Sequence, residues 1–230
     1  MRPLGESLAA EGYRVKAVCL PGHQNVEQAL PSVTGTDWKT ACEKALRELE
    51  KTHRSIVVVG LSMGALLAII LAAEHPGSIR ELVLIAPAIR FAGFNRWSMR
   101  LLHHLPVIGK LLPWQHKEAT NIDDLKVQQA APILRKYPTA WLEQLWDLRK
   151  EACQKLEGVV CRTLIVVAPR DRVVSSEGAR RLSLGLKHAQ EVQFICLAQG
   201  AHIVPRDLGS TQLFNEVTQF LGRQPLPKAI

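Results

Sequence analysis

The stretch from Ser55 to Gly77, SIVVVGLSMGALLAIILAAEHPG, constrains the fold more than any other part of the chain. Its β-branched residues, Ile56 to Val59, favour a strand. A Gly-x-Ser-x-Gly turn follows, and the small and long apolar residues after it favour a helix that Pro76 and Gly77 stop. A strand entering a helix through so tight a bend is half of a β-α-β unit. The same alternation recurs along most of the 230 residues, which is the pattern of a mostly parallel sheet covered on both faces.

Residues 3–11 read as a helix ended by Gly12, and 14–20 as a strand that breaks at Pro21-Gly22-His23. Residues 37–52 read as an amphipathic helix with Asp37 as N-cap. The strand at 55–60 and the helix at 63–74 come next. Further β-rich runs are ELVLIAPAI, RTLIVVAP and VQFICLA, the last two separated by a helix near 176–186. A closing helix spans 208–221, and RQPLPKAI reads as a frayed tail. The alternation stops between residues 90 and 158, a segment that holds Trp97, Trp114, Trp141 and Trp146 and is cut by Pro106, Pro113, Pro132 and Pro138. Residues 1–89 and 159–230 therefore read as the α/β core, and 90–158 as a helical insertion, either a peripheral subdomain packed on its own aromatics or a cap over a cleft.

A serine that attacks a carbonyl needs a base, a group to orient that base, and donors for the oxyanion. The turn at Gly60-Leu61-Ser62-Met63-Gly64 lifts a hydroxyl clear of the sheet and sets the Met63 N–H at a helix N-terminus. Asp171 in LIVVAPRDRVV and His202 in FICLAQGAHIV each follow an apolar strand, where loop residues reach across the sheet top. Taken singly, Asp171 reads as a turn aspartate and His202 as a loop histidine. Taken together, in the order Ser, Asp, His, they make a nucleophile, an orienting acid and a general base. Asp207 is a weaker candidate orienter and reads better as a cap for the closing helix.

With these residues in view, the chain resembles α/β-hydrolases of the serine carboxylesterase and monoacylglycerol lipase group. LAAEGYRVKAVCLPGH, TDWKTACEKALREL, GLSMG, PRDRVV and GAHIVPRD are similar to successive segments of that group and cover nearly the whole chain. The resemblance implies Ser62, Asp171 and His202 as the triad, Met63 as an oxyanion donor, residues 90–158 as the cap, and no metal or organic cofactor. It also implies a pocket to which His23, Trp97, Trp114 and Trp141 contribute. Two departures stand out. PGHQ replaces a frequent Gly after the His, and no His-Gly pair occurs anywhere, so the N-terminal strands and the His-Gly oxyanion loop of the group are expected to be missing.

The expected activity is hydrolysis of carboxylic esters of apolar acyl chains, monoacylglycerol-like, through an acyl-enzyme. The alternative is a catalytically weak or inactive binding protein on the same scaffold. The expected partner is a small ester. The net charge of +8 comes from scattered basic pairs without interleaved aromatics, which argues against nucleic acid. The longest apolar run, Ala65 to Ala73, is too short to cross a bilayer, and MRLLHHLPVIGKLLPW reads as a lid rather than a membrane anchor. Five cysteines without ligand spacing fit a reduced, cytoplasmic compartment, with Cys19, Cys161 and Cys196 as small buried hydrophobes.

Overall fold

The computed structural model describes residues 1–23, 32–92, 114–116, 122–130 and 136–222. The expectations for Trp97, for most of the MRLLHHLPVIGKLLPW run and for the RQPLPKAI tail lie outside these residues. In chain order the helices are α1 (Arg2–Ala10), α2 (Gly35–Glu50), α3 (Met63–Glu74), α4 (Leu125–Ala130), α5 (Ala140–Gln154), α6 (Ser176–Gly185) and α7 (Ser210–Gly222). The strands are β1 (Ile56–Leu61), β2 (Ile79–Ile85), β3 (Trp114–His116), β4 (Lys136–Pro138), β5 (Arg162–Val167) and β6 (Val192–Cys196).

Four strands form one parallel sheet in the order β1-β2-β5-β6, while β3 and β4 form a separate antiparallel pair within the insertion. Register places Val59 opposite Val83, and Leu84 opposite Ile165. The central strands β2 and β5 are buried almost end to end, as strands covered on both faces must be. Helices α2, α3 and α5 pack together in one layer, and α1 packs on α7, which lies against β5. Helix α5 comes from the latter part of the segment read as a cap, yet Leu148 and Ala152 bury it in the main core.

Helix α3 is apolar all round. Ala65 through Ala72 are all buried, so it is enclosed by β1, β2, α2 and α5 rather than half-exposed like an amphipathic surface helix. It starts at Ser62, and the core is thus built around the helix that carries the candidate nucleophile.

Three sequence expectations change. Residues 14–20 form no strand; Tyr13, Val15 and Val18 are exposed, and the recorded partner of β1 is β2 alone. Alternation of side chains makes a strand only where a neighbour accepts its backbone hydrogen bonds. The N-cap of α2 is Thr34, not Asp37: the Thr34 hydroxyl accepts from the Asp37 N–H, and the Asp37 carboxylate accepts from the Thr34 N–H at 2.8 Å. That reciprocal arrangement is a capping box, with Asp in place of the usual Glu. Cys161 is buried as expected, but Cys19 and Cys196 are exposed, the first on the unpaired 13–20 segment and the second at the end of the last strand in the sheet.

Candidate active site

The carboxyl ends of β1, β2, β5 and β6 converge on one place. Ser62 follows β1 directly, with φ 55° and ψ −114°, in a backbone region that L-residues rarely adopt. The elbow is held from below: the Ser62 N–H donates to Ile85 O at 2.9 Å, and Ser62 O accepts from Ala65 N–H at 3.0 Å and Ala88 N–H at 3.4 Å. Ala86, between those β2-end partners, is itself fully buried at φ 43° and donates to Val166 O at 2.8 Å. Two neighbouring residues are thus held in strained backbone conformations by their hydrogen bonds to the sheet. Sequence reading missed Ala86, since no residue-type preference signals a positive φ at alanine.

Gly60 is needed for space, whereas Gly64 is not. A Cβ on Gly60 would stand 2.3 Å from the Gly64 carbonyl oxygen and 2.6 Å from Ala65 N, which are backbone atoms that cannot swing away. A Cβ on Gly64 meets nothing within 4 Å among the described residues. Gly60→Ala is therefore expected to displace the elbow and cost at least about 1 to 3 kcal/mol, as overpacking does. Gly64→Ala should leave the unfolding free energy within about 0.5 kcal/mol of the parent's, as a surface substitution does. Thermal denaturation of the two variants side by side checks the contrast.

His202 lies in the loop after β6 and Asp171 in the loop after β5. His202 Nε2 is 2.9 Å from Ser62 Oγ, and His202 Nδ1 is 2.8 Å from Asp171 Oδ2. An ionised carboxylate only accepts, so Nδ1 carries the proton and Nε2 is free to accept from the hydroxyl. The second oxygen of Asp171 is fixed by the Val173 and Val174 N–H groups at 2.8 and 2.9 Å. The His202 and Asp171 side chains are 6% and 5% exposed, so the pair works in a medium that strengthens its attraction. Burial pushes the Cys42 and Cys161 thiols up to about 11.

Met63 is the first residue of α3, so its N–H belongs to the helix-terminal donors without an intrahelical acceptor. Of the aromatic residues read as pocket wall, Trp141 and His23 are stacked with ring centroids 4.8 Å apart, and Trp38 meets Trp141 edge-on at 5.2 Å. Gly22, at φ +78°, allows this approach, because a Cβ there would fall 2.7 Å from the Trp141 ring. Trp141 is built into a packed cluster rather than standing free in a cleft. Trp114 is the first residue of β3.

Asp207 does not cap α7 through its side chain. Its Oδ2 accepts from Ala201 N–H at 2.6 Å, and its Oδ1 accepts from Asp123, Asp124 and Leu208 N–H groups at 2.9, 3.0 and 2.8 Å. Burial pushes this carboxyl up, but the four backbone donors outweigh it and hold the group below the ordinary aspartate value.

Among the described residues no group of three or more His, Cys, Asp or Glu side chains is placed to hold a metal ion, and no helix is long and apolar enough to cross a membrane.

The sequence model of the family described as serine aminopeptidase, S33, matches residues 1–208 of the chain. A thermostable monoacylglycerol lipase of Bacillus sp. (strain H-257) is 29% identical over 226 residues, spanning 97% of this chain and 85% of the relative. The fold is similar to a solved structure from work on the metagenome-derived lipolytic enzymes LipS and LipT, with TM-score 0.86 and 22% identity over 96% of this chain and 86% of that one. It is also similar to a monoacylglycerol lipase of Paleococcus ferrophilus, with TM-score 0.66 and 16% identity over 82% and 75% of the two chains.

Proposed function

The chain belongs to the serine aminopeptidase S33 family and has the α/β-hydrolase fold, and from that premise we propose that it is a carboxylesterase-type serine hydrolase acting on esters of apolar acyl chains. The observation that carries this reading is the unbroken relay from Ser62 Oγ through His202 to Asp171. The similarity to a Bacillus monoacylglycerol lipase over nearly the whole chain supports an ester of glycerol as the kind of substrate to try first.

In this reading Ser62 Oγ attacks the ester carbonyl while its proton passes to His202 Nε2, and Asp171 stabilises the imidazolium that forms. The charge that develops on the carbonyl oxygen faces the N-terminus of α3, where Met63 N–H donates to it. His202 then returns the proton to the leaving alcohol, and the acyl group stays on Ser62 until water, activated by the same histidine, releases it. Residues 90–158 supply the cap, with α5 as the part of it that is fused to the core.

A fluorophosphonate probe and a p-nitrophenyl ester chain-length series, run beside an aminoacyl p-nitroanilide, test the proposal. The expected result is labelling and ester turnover that vanish in Ser62→Ala, with the amide cleaved far more slowly. Equal labelling of wild type and Ser62→Ala would return the chain to the non-catalytic alternative, and preferential cleavage of the anilide would replace the ester reading with a peptidase one.

A further inference from the structure

We propose that Asp207 is a positioning residue for His202, and that its carboxylate ties the histidine loop to the Asp123–Asp124 stretch of the insertion. The proposal deepens the hydrolase reading above and rests on it for the role of His202. The carboxylate spans two regions of the chain. Oδ2 takes the N–H of Ala201, the residue immediately before His202, at 2.6 Å, and Oδ1 takes the N–H groups of Asp123 and Asp124 at 2.9 and 3.0 Å, from residues more than eighty positions away. Asp207 is 3% exposed and His202 5%, so neither is fixed merely by drifting against solvent.

The surroundings make the same connection twice more. Arg170, next to Asp171, lies 2.7 Å from Asp123 Oδ2 as an ion pair, an electrostatic contact without an aligned hydrogen bond, and its N–H donates to Gly200 O at 3.2 Å. At the start of the insertion, Ala92 N–H donates to Val173 O at 2.9 Å, and Ser175 N–H to Arg90 O at 2.7 Å. The start of the insertion is thus held beside Asp171, and its Asp123–Asp124 stretch is held by Asp207 beside His202. Both loops that complete the relay are fastened to it.

Main-chain donors at Ala201, Asp123 and Asp124 need an acceptor with two oxygens pointing opposite ways. An aspartate supplies them, whereas an asparagine must turn an NH₂ toward one of the two sets. In Asp207→Asn the Ala201 N–H or the Asp123 and Asp124 N–H groups therefore face a donor. Either way the loop shifts, and a displacement of about 1 Å at a catalytic group costs on the order of a hundredfold in rate.

The test uses the full chain, with Asp207→Asn and Asp207→Glu, the latter keeping charge and both oxygens but moving them by one methylene. The proton NMR signal of His202 Nδ1–H, the amide signals of Ala201, Asp123 and Asp124, and kcat per fluorophosphonate-titrated site are recorded for each folded variant. The expected result is a displaced or exchange-broadened Nδ1–H signal, joint movement of the three amide signals, and a roughly 10- to 100-fold lower kcat per titrated site. A purely structural Asp207 would lower the melting temperature or the number of titratable sites and leave those per-site readouts alone, and that result would overturn the proposal. Should Asp207→Asn not fold, Asp207→Glu carries the same readouts. Failure of the hydrolase reading has a different signature, ester turnover equal to that of Ser62→Ala, and the NMR signals still decide the role of Asp207 in that case.

Discussion

Ser62→Ala and His202→Ala are each expected to lower kcat on a p-nitrophenyl ester about a million-fold, and the double variant no further. The reason is that the two groups act as one unit. Without the imidazole 2.9 Å from its oxygen, the Ser62 hydroxyl keeps its proton at neutral pH, and without the hydroxyl the imidazole has no nucleophile to serve. What survives is about 10³- to 10⁴-fold over water, from oxyanion stabilisation and binding. Asp171→Asn should cost less, about 10⁴-fold, by favouring the wrong tautomer of His202 while leaving the nucleophile in place. The melting temperature of Ser62→Ala should hardly move, since alanine at φ 55° is as strained as serine there and loses only a partly exposed hydroxyl. Single-turnover and steady-state kinetics on the three variants and the Ser62/His202 pair check the pattern, and additive losses would contradict it.

Arg162→Ala should destabilise the fold by about 3 to 5 kcal/mol, the largest stability effect expected of a side chain outside the apolar core. Arg162 begins β5 and is 1% exposed. Its Nη1 bonds Glu81 Oε1 at 2.6 Å, directly across the β2–β5 register; its Nε bonds Glu191 at 2.9 Å; its Nη2 bonds Phe220 O at 3.2 Å; and its guanidinium lies 4.6 Å above the Phe220 ring. Removing it leaves Glu81, 4% exposed, without its cation. Burial already pushes the Glu81 carboxyl up against the pull of Arg162, so in the variant Glu81 favours the protonated form still more. A carboxyl whose folded value is raised stabilises at low pH and loses that contribution as pH rises. The destabilisation of Arg162→Ala is therefore expected to grow from acid toward neutral pH, which urea unfolding across that range measures. Exchanging the pair together, as Arg162→Met with Glu81→Leu, should restore much of the loss, because the desolvation of both charges goes with them. Catalysis per folded molecule should be unchanged, since this network sits at the amino ends of the strands and the site at their carboxyl ends.

That Ser62, Asp171 and His202 come together was legible in the sequence because each announces itself locally. Ser62, Asp171 and His202 all follow an apolar strand by a few residues, and parallel strands bring such ends to one side of a sheet whatever their separation in the chain. The elements that carry them, β1, α3, β5 and β6, have patterns of one period only. What the sequence hid depends on partners distant in the chain. Residues 14–20 alternate like a strand but pair with no strand among the described residues. Asp207 looks like a helix cap because caps are its commonest local use, and nothing near it in sequence reveals that Asp123 and Asp124 are its partners. Trp141 reads as pocket wall by residue type, yet its stacking on His23 depends on Gly22 bringing a remote loop against it. Thr34 lost its place to Asp37 for a smaller reason: in a capping box both ends carry an oxygen, and only geometry tells which one caps.

The all-round burial of α3 also governs when the elbow can come apart. A helix with one wet face can fray or swing out while the rest of a domain stays folded, but α3 is covered by strands on one side and helices on the other, and opening it means opening the whole core. The unusual backbone angles at Ser62 consequently have no cheap route to relax. They are released only in global unfolding, on the slowest timescale the molecule has. Ser62, the candidate nucleophile, is thereby held as firmly as the core itself.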